Sequence, residues 1–155
     1  MIKTIIFDFA GVILNPPSEE NIGEVTEIHK EIFPKDPYYF ANHFEINDAL
    51  LDFLKTKKEK FNFVIYTSMM LKNEPELREK IDEIFTKIYS AAELQMRKND
   101  PESFKFILKD LNATAEEVLF IDDSEDNIES AKSLGIQTLL YKNNLEVIEL
   151  INSLE

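Results

Sequence analysis

Residues 118–136 read VLFIDDSEDNIESAKSLGI. An apolar run of strand-forming residues, Val118 to Asp122, ends in two adjacent acids. A helix-forming stretch, Ser124 to Leu134, follows at once, and Gly135 stands where such a helix stops. The same kind of short apolar run occurs at Thr4 to Phe9 (TIIFDF), Phe61 to Thr67 (FNFVIYT) and Gln137 to Tyr141 (QTLLY), with Lys87 to Ser90 as the weakest example. Near-continuous apolar strands are what a parallel sheet covered on both faces requires.

Helical patterns fill the gaps. Asn47 is placed to cap a helix with Leu50, Leu51 and Leu54 on its apolar face, and Pro75 to open one leading to Leu77 and Ile81. Asp100 and Pro101 start a helix carrying Phe104, Ile107, Leu108 and Leu111, and Leu145, Ile148 and Ile151 mark a last one. Thr114 and Glu117 have capping-box spacing just before the strand at Val118. Strands alternating with helices predict an open, mainly parallel, Rossmann-like α/β sheet with helices on both faces. Ile22, Val25, Ile28 and Ile32 predict one amphipathic helix in an insert after the first strand, followed by an aromatic group of Tyr38, Tyr39, Phe40 and Phe44. That group reads as core packing or, more sharply, as a lid. No repeat or linker divides residues 1–155, which read as a single domain.

Composition narrows the function. The absence of cysteine excludes a disulfide scaffold, a thiolate zinc site and a cysteine nucleophile, and agrees with a reducing cytoplasm. Two histidines, His29 and His43, are too few for a histidine-built metal centre. A formal charge of −13 repels nucleic acid and anionic lipid alike, while leaving room for a local cationic pocket. The sequence shows no basic leader and no long apolar segment, so neither export nor a membrane span is expected.

In an open α/β sheet, ligands bind beyond the carboxyl ends of the strands. Asp8 and Ala10, Thr67 and Ser68, and Asp122 and Asp123 all fall there, with Lys98 in a loop before a helix. A carboxylate inside an apolar strand is costly unless paired with a cation, which singles out Asp8; its bland alternative is a turn cap. Gly11 permits a tight exit from that strand. Thr67 is a good strand former, yet its hydroxyl stands where it can donate to a phosphate oxygen, and Ser68 is either its supplement or a helix start. Lys98 reads as solvated filler unless the loop brings it to the sheet edge. Asp122 and Asp123 repel each other unless a cation is near, and an all-oxygen cluster suits Mg²⁺; the plain alternative is a capping acid. Asn127, one turn on, is placed to orient an aspartate.

These residues, taken in order, resemble the four motifs of the haloacid-dehalogenase superfamily. FDFAGVIL matches the first, with Asp8 as the nucleophile; FVIYTS matches the second, through Thr67; RKNDPESF matches the third, through Lys98. The fourth is the DDxxxN form, with Asp122, Asp123 and Asn127. The resemblance implies a phosphomonoester phosphatase in which Asp8 forms an aspartyl phosphate. It implies Mg²⁺ held by Asp8, the main-chain carbonyl of Ala10 and Asp123, with Asp122 in or beside the shell. Thr67, Ser68, Lys98 and Gly11 would surround a small phosphorylated substrate, and residues 15–46 would be a reduced cap.

One position departs from the family pattern. Ala10 stands where relatives carry the aspartate that protonates the leaving group, a function that contributes about 10²–10⁴-fold to rate. Two other readings follow from that departure: a degenerate member that binds phosphate or a partner without turnover, and, ranked lower because it needs a fuller cap, a 2-haloacid dehalogenase. His43 is a poor replacement acid.

Overall fold

The computed structural model describes residues 1–15, 44–68 and 75–155. Seven strands are described: β1 (Thr4–Phe7), β2 (Leu14–Asn15), β3 (Glu45–Ile46), β4 (Asn62–Thr67), β5 (Lys87–Ser90), β6 (Val118–Asp122) and β7 (Gln137–Leu140). The described helices are α1 (Asp48–Lys55), α2 (Pro75–Asp82), α3 (Ala91–Leu94), α4 (Pro101–Leu111), α5 (Glu125–Lys132) and α6 (Asn144–Ser153).

Five strands form one sheet in the order β5-β4-β1-β6-β7, and every pairing in it is parallel. The apolar runs explain this. Ile5, Phe7, Phe63, Ile65, Leu119 and Ile121 pack on one face, with Leu50, Leu51 and Leu54 of α1. Ile6, Val64, Tyr66, Val118 and Phe120 pack on the other, with Phe104 and Ile107 of α4. Side chains alternate between faces along a strand, so a strand buried on both sides must be apolar at every position. Phe104 meets Tyr66 and Phe120 edge-on, with ring centroids 5.4 and 4.9 Å apart.

The local signals work as the sequence predicts. Asn47 and Asp100 accept backbone hydrogen bonds at the starts of α1 and α4, from Leu50 and Glu102. Glu117 reaches back to the Thr114 N–H at 3.2 Å. Gly135 adopts φ +82° after α5.

One expectation needs correction. The first strand ends at Phe7 rather than Phe9, because Phe9 turns to accept the N–H groups of Ile13 and Leu14, both at 2.9 Å. The last helix forms where Leu145, Ile148 and Ile151 predict it; it buries Val147 and Ile151 and leaves Leu145 64% exposed. Val147 and Ile151 are one turn apart and face the sheet, while Leu145 lies at the helix start on the outer side.

The insert leaves and returns at one place, since Leu14 pairs with Ile46 and Asn15 with Glu45 in an antiparallel ladder. Its predicted helix, both histidines, and Tyr38, Tyr39 and Phe40 lie outside the described residues. Phe44 lies within them and is buried in the core. Among the described residues, no helix is long and apolar enough to cross a membrane.

Candidate active site

The strand order reverses direction between β1 and β6, which opens a crevice at their carboxyl ends. Asp8 stands there, one residue past β1, with its N–H still donating to the Ile121 carbonyl at 2.8 Å. Thr67 ends β4 on one side of it, and Asp122 ends β6 on the other. Both are fully buried, whereas Ser68 is exposed.

Lys98 is buried as well, at 6% exposure. It stands in the segment between α3 and α4, which is fixed at both ends. Gln95 takes a left-handed turn at φ 55°, and Asp100 caps α4. The ammonium donates to Asp8 Oδ1 at 2.5 Å and to Asp122 Oδ2 at 2.7 Å. It also lies 5.4 Å from the Tyr66 ring centroid and 5.8 Å from that of Phe120, so aromatic faces add to its attraction. Burial disfavours the ammonium, but Asp8 and Asp122 outweigh it and raise its pKa above the ordinary lysine value.

The two adjacent aspartates have separate duties. Asp122 accepts from the Ser124 N–H at 2.8 Å and from Asn127 at 3.2 and 3.1 Å, besides Lys98. Its oxygens already accept from that lysine and from the start of α5. Asp123 is only partly buried and faces Asp8. Burial raises Asp8 to about 7, with Asp122 and Asp123 adding to the rise and Lys98 opposing it. Burial and the neighbouring Asp122 raise Asp123 to about 6. Two carboxyls in this position need a proton or a metal ion between them.

Asp8, Asp122 and Asp123 each present a carboxylate oxygen within 4.8 Å of the others, and this oxygen-only, acidic donor set fits a hard divalent ion such as Mg²⁺. Gly11 shapes the same spot. It has φ +89°, and a Cβ added there would lie 2.2 Å from Asp123 Oδ2. Its absent side chain lets the turn approach Asp123. Ala10, partly exposed, sits beside it in that turn.

The structure therefore brings together Asp8, Gly11, Lys98, Asp122 and Asp123, with Thr67 at the adjoining strand end. Sequence reasoning missed the aromatic platform under Lys98 and the pairing of Lys98 with Asp122. Neither has a local signal, because Tyr66, Lys98 and Phe120 come from three separate segments.

The fold and the site together are thus a parallel α/β sheet with an acidic, lysine-bridged crevice at the switch between β1 and β6. The family model of haloacid dehalogenase-like hydrolases matches residues 15–141, and the chain belongs to that family. A drimenol cyclase of Aspergillus calidoustus is 41% identical over 64 residues, which are 41% of this chain and 12% of the relative. A D-ribitol-5-phosphate phosphatase of Bacteroides thetaiotaomicron is 37% identical over 60 residues, 39% of this chain and 29% of the relative. The matches thus span less than a third of these curated relatives. A haloacid-dehalogenase family enzyme of Bacteroides thetaiotaomicron, solved with magnesium and inorganic phosphate, has the same fold. It superposes with a TM-score of 0.69 at 24% identity, covering 92% of this chain and 95% of that one.

Proposed function

We propose that this chain is a Mg²⁺-dependent phosphomonoester phosphatase that works through an aspartyl phosphate on Asp8. One arrangement carries the reading. Asp8 stands between a partly open carboxylate, Asp123, and a buried ammonium, Lys98, at the switch point of the sheet. The D-ribitol-5-phosphate phosphatase relative supports the substrate class, and the structural neighbour solved with magnesium and phosphate supports the cofactor.

Asp8, Asp123 and the Ala10 carbonyl would hold the Mg²⁺, with Asp122 beside them. Bound there, the ion would supply positive charge to the phosphoryl oxygens. Lys98 and Thr67 take the remaining oxygens, Ser68 lies at the rim, and Gly11 keeps the approach to phosphorus open. Asp8 attacks phosphorus as the bond to the leaving oxygen breaks, and that oxygen departs with the electron pair. Water then hydrolyses the aspartyl phosphate, releasing phosphate and restoring Asp8. Residues 1–155 act as one domain with 15–46 as a reduced cap, in the cytoplasm, on a small phosphorylated substrate and without nucleic acid or membrane.

With alanine at position 10, the leaving oxygen departs unprotonated. Acyl phosphates and nitrophenyl phosphate tolerate this, whereas alkyl and sugar phosphates should be slower by about 10²–10⁴-fold. The test measures phosphate release from nitrophenyl phosphate and an alkyl phosphate, with and without Mg²⁺. Asp8→Asn should abolish release, and Ala10→Asp should raise alkyl-phosphate turnover more than nitrophenyl-phosphate turnover. Ala10 also favours a second reading, a member that binds phosphate without turnover. Mg²⁺ and phosphate binding without release, unchanged in Ala10→Asp, would establish that reading instead.

A further inference from the structure

The turn after β1 is clamped from outside by Asn47. Its side-chain amide donates to the Val12 carbonyl at 2.9 Å, and its backbone N–H donates to the Ile13 carbonyl at 2.8 Å. The same side chain forms a two-way amide pair with Asn144, both hydrogen bonds being 2.8 Å. Tyr141 closes the group. Its hydroxyl donates to Asn144 Oδ1 at 2.9 Å and lies 3.2 Å from Asn47 Nδ2. Tyr141 is also tied to the acidic strand end, because its N–H donates to the Asp122 carbonyl at 2.8 Å.

Two sides of the crevice are joined here by one polar network. On one side is the turn that carries Ala10 and Gly11; on the other is the segment that carries Asp122 and Asp123. The clearance between them is small, as the 2.2 Å separation between a Cβ at Gly11 and Asp123 Oδ2 shows. A turn this close to a carboxylate cannot shift without changing the oxygen set around it. We infer that Asn47, with Asn144 and Tyr141 behind it, is a positioning residue that sets the Ala10–Gly11 turn against Asp123 and so fixes the affinity for the divalent ion.

This rests on the Mg²⁺ site of the proposed function. Removing a hydrogen-bond partner of a metal ligand commonly changes metal affinity by about 10–100-fold, and because Asn47 bonds to Val12 and Ile13 beside the turn, the low end of that range applies. Asn47 also caps α1 through its side-chain oxygen, so the informative variant is Asn47→Ser, which keeps a capping hydroxyl but is too short to reach Val12. Asn144→Ala and Tyr141→Phe leave the cap itself intact. Mg²⁺ affinity is measured by calorimetry, and the melting temperature in EDTA is measured alongside. The expected result is a Kd for Mg²⁺ about 10-fold or more weaker in Asn47→Ser and Asn144→Ala, with a smaller change in Tyr141→Phe. Wild-type Mg²⁺ affinity in folded Asn144→Ala and Tyr141→Phe, with only the melting temperature lowered, would overturn the inference and leave the metal site standing. No Mg²⁺ binding by the natural protein would overturn both.

Discussion

Two clusters in this molecule are built from the same parts. At the crevice between β1 and β6, Lys98 pairs with Asp8 and Asp122 above the rings of Tyr66 and Phe120. At the outer edge of the sheet, Lys87 pairs with Asp110, 5.1 Å from the ring of Tyr89, whose hydroxyl donates to the same carboxylate at 2.6 Å. The first cluster has side-chain exposures of 4% for Lys98, 9% for Asp8 and 0% for Asp122; the second has 44% for Lys87 and 38% for Asp110. Stoichiometry differs too. One acid balances Lys87, while Lys98 faces Asp8 and Asp122 with Asp123 close by. The surface cluster is neutral and complete. The buried one holds surplus negative charge, which the proposed Mg²⁺ would neutralise.

The largest expected effect breaks this comparison at the lysines. Lys98→Met leaves two buried carboxylates without their cation, and such a loss costs about 3–5 kcal/mol. Lys87→Met removes a solvated pair and should leave stability nearly unchanged. Urea unfolding of both variants in EDTA measures the difference. Equal small losses would show that Lys98 is not the counter-charge of Asp8 and Asp122.

That contrast also marks what was legible in the sequence. The strands were, because a sheet covered on both faces forces an apolar residue at every position from Ile5 to Phe7 and from Phe63 to Tyr66. Asp8, Asp122 and Asp123 stood out because acids at the end of such runs are conspicuous. Lys98 did not stand out on physical grounds. QMRKNDPESF reads as a surface loop, and only its place among the family motifs separated it from Lys87. Its burial comes from rings on β4 and β6 that no local pattern announces. The Asn47 clamp was less legible still, since its side-chain partners Tyr141 and Asn144 are 94 and 97 residues away.

A second pair of variants sharpens the comparison through the backbone. Gly11 and Gly135 both have positive φ, at +89° and +82°. An added Cβ at Gly135 would meet only Ala115 Cβ at 3.9 Å, so Gly135→Ala suffers the conformational cost alone, about 1–2 kcal/mol. Gly11→Ala adds a collision with the Asp123 carboxylate. It should lose more stability than Gly135→Ala and should also lose the heat stabilisation conferred by Mg²⁺, which Gly135→Ala should keep. Thermal melts with and without Mg²⁺ separate the two. Retained Mg²⁺ stabilisation in Gly11→Ala would mean that Asp123 is not at the ion.

A last expected effect is a difference of sign with pH. Asp8 and Asp123 have folded pKa values of about 7 and about 6, above the ordinary aspartate value of 3.8, chiefly because burial disfavours their charge. The folded state then binds more protons than the unfolded chain between these limits, so ion-free stability is greatest in acid and declines as pH rises through 6 and 7. Asp110 behaves in reverse. Hydrogen bonds from Lys87 and Tyr89 lower its pKa, so its contribution is present above the ordinary value and disappears as pH falls through the folded one. Being exposed, it contributes little. The melting temperature in EDTA should therefore fall between pH 5 and pH 8. At the proposed site Mg²⁺ would compete with the proton for the same carboxyls, so its stabilising effect should be larger at pH 8 than at pH 5, and the decline should flatten when it is present. Asp123→Asn should flatten the ion-free decline as well, while Asp110→Asn should leave it unchanged. An ion-free melting temperature that rises from pH 5 to pH 8 would mean that Lys98 outweighs burial at Asp8, and that the crevice, like the surface cluster, already has its charges balanced.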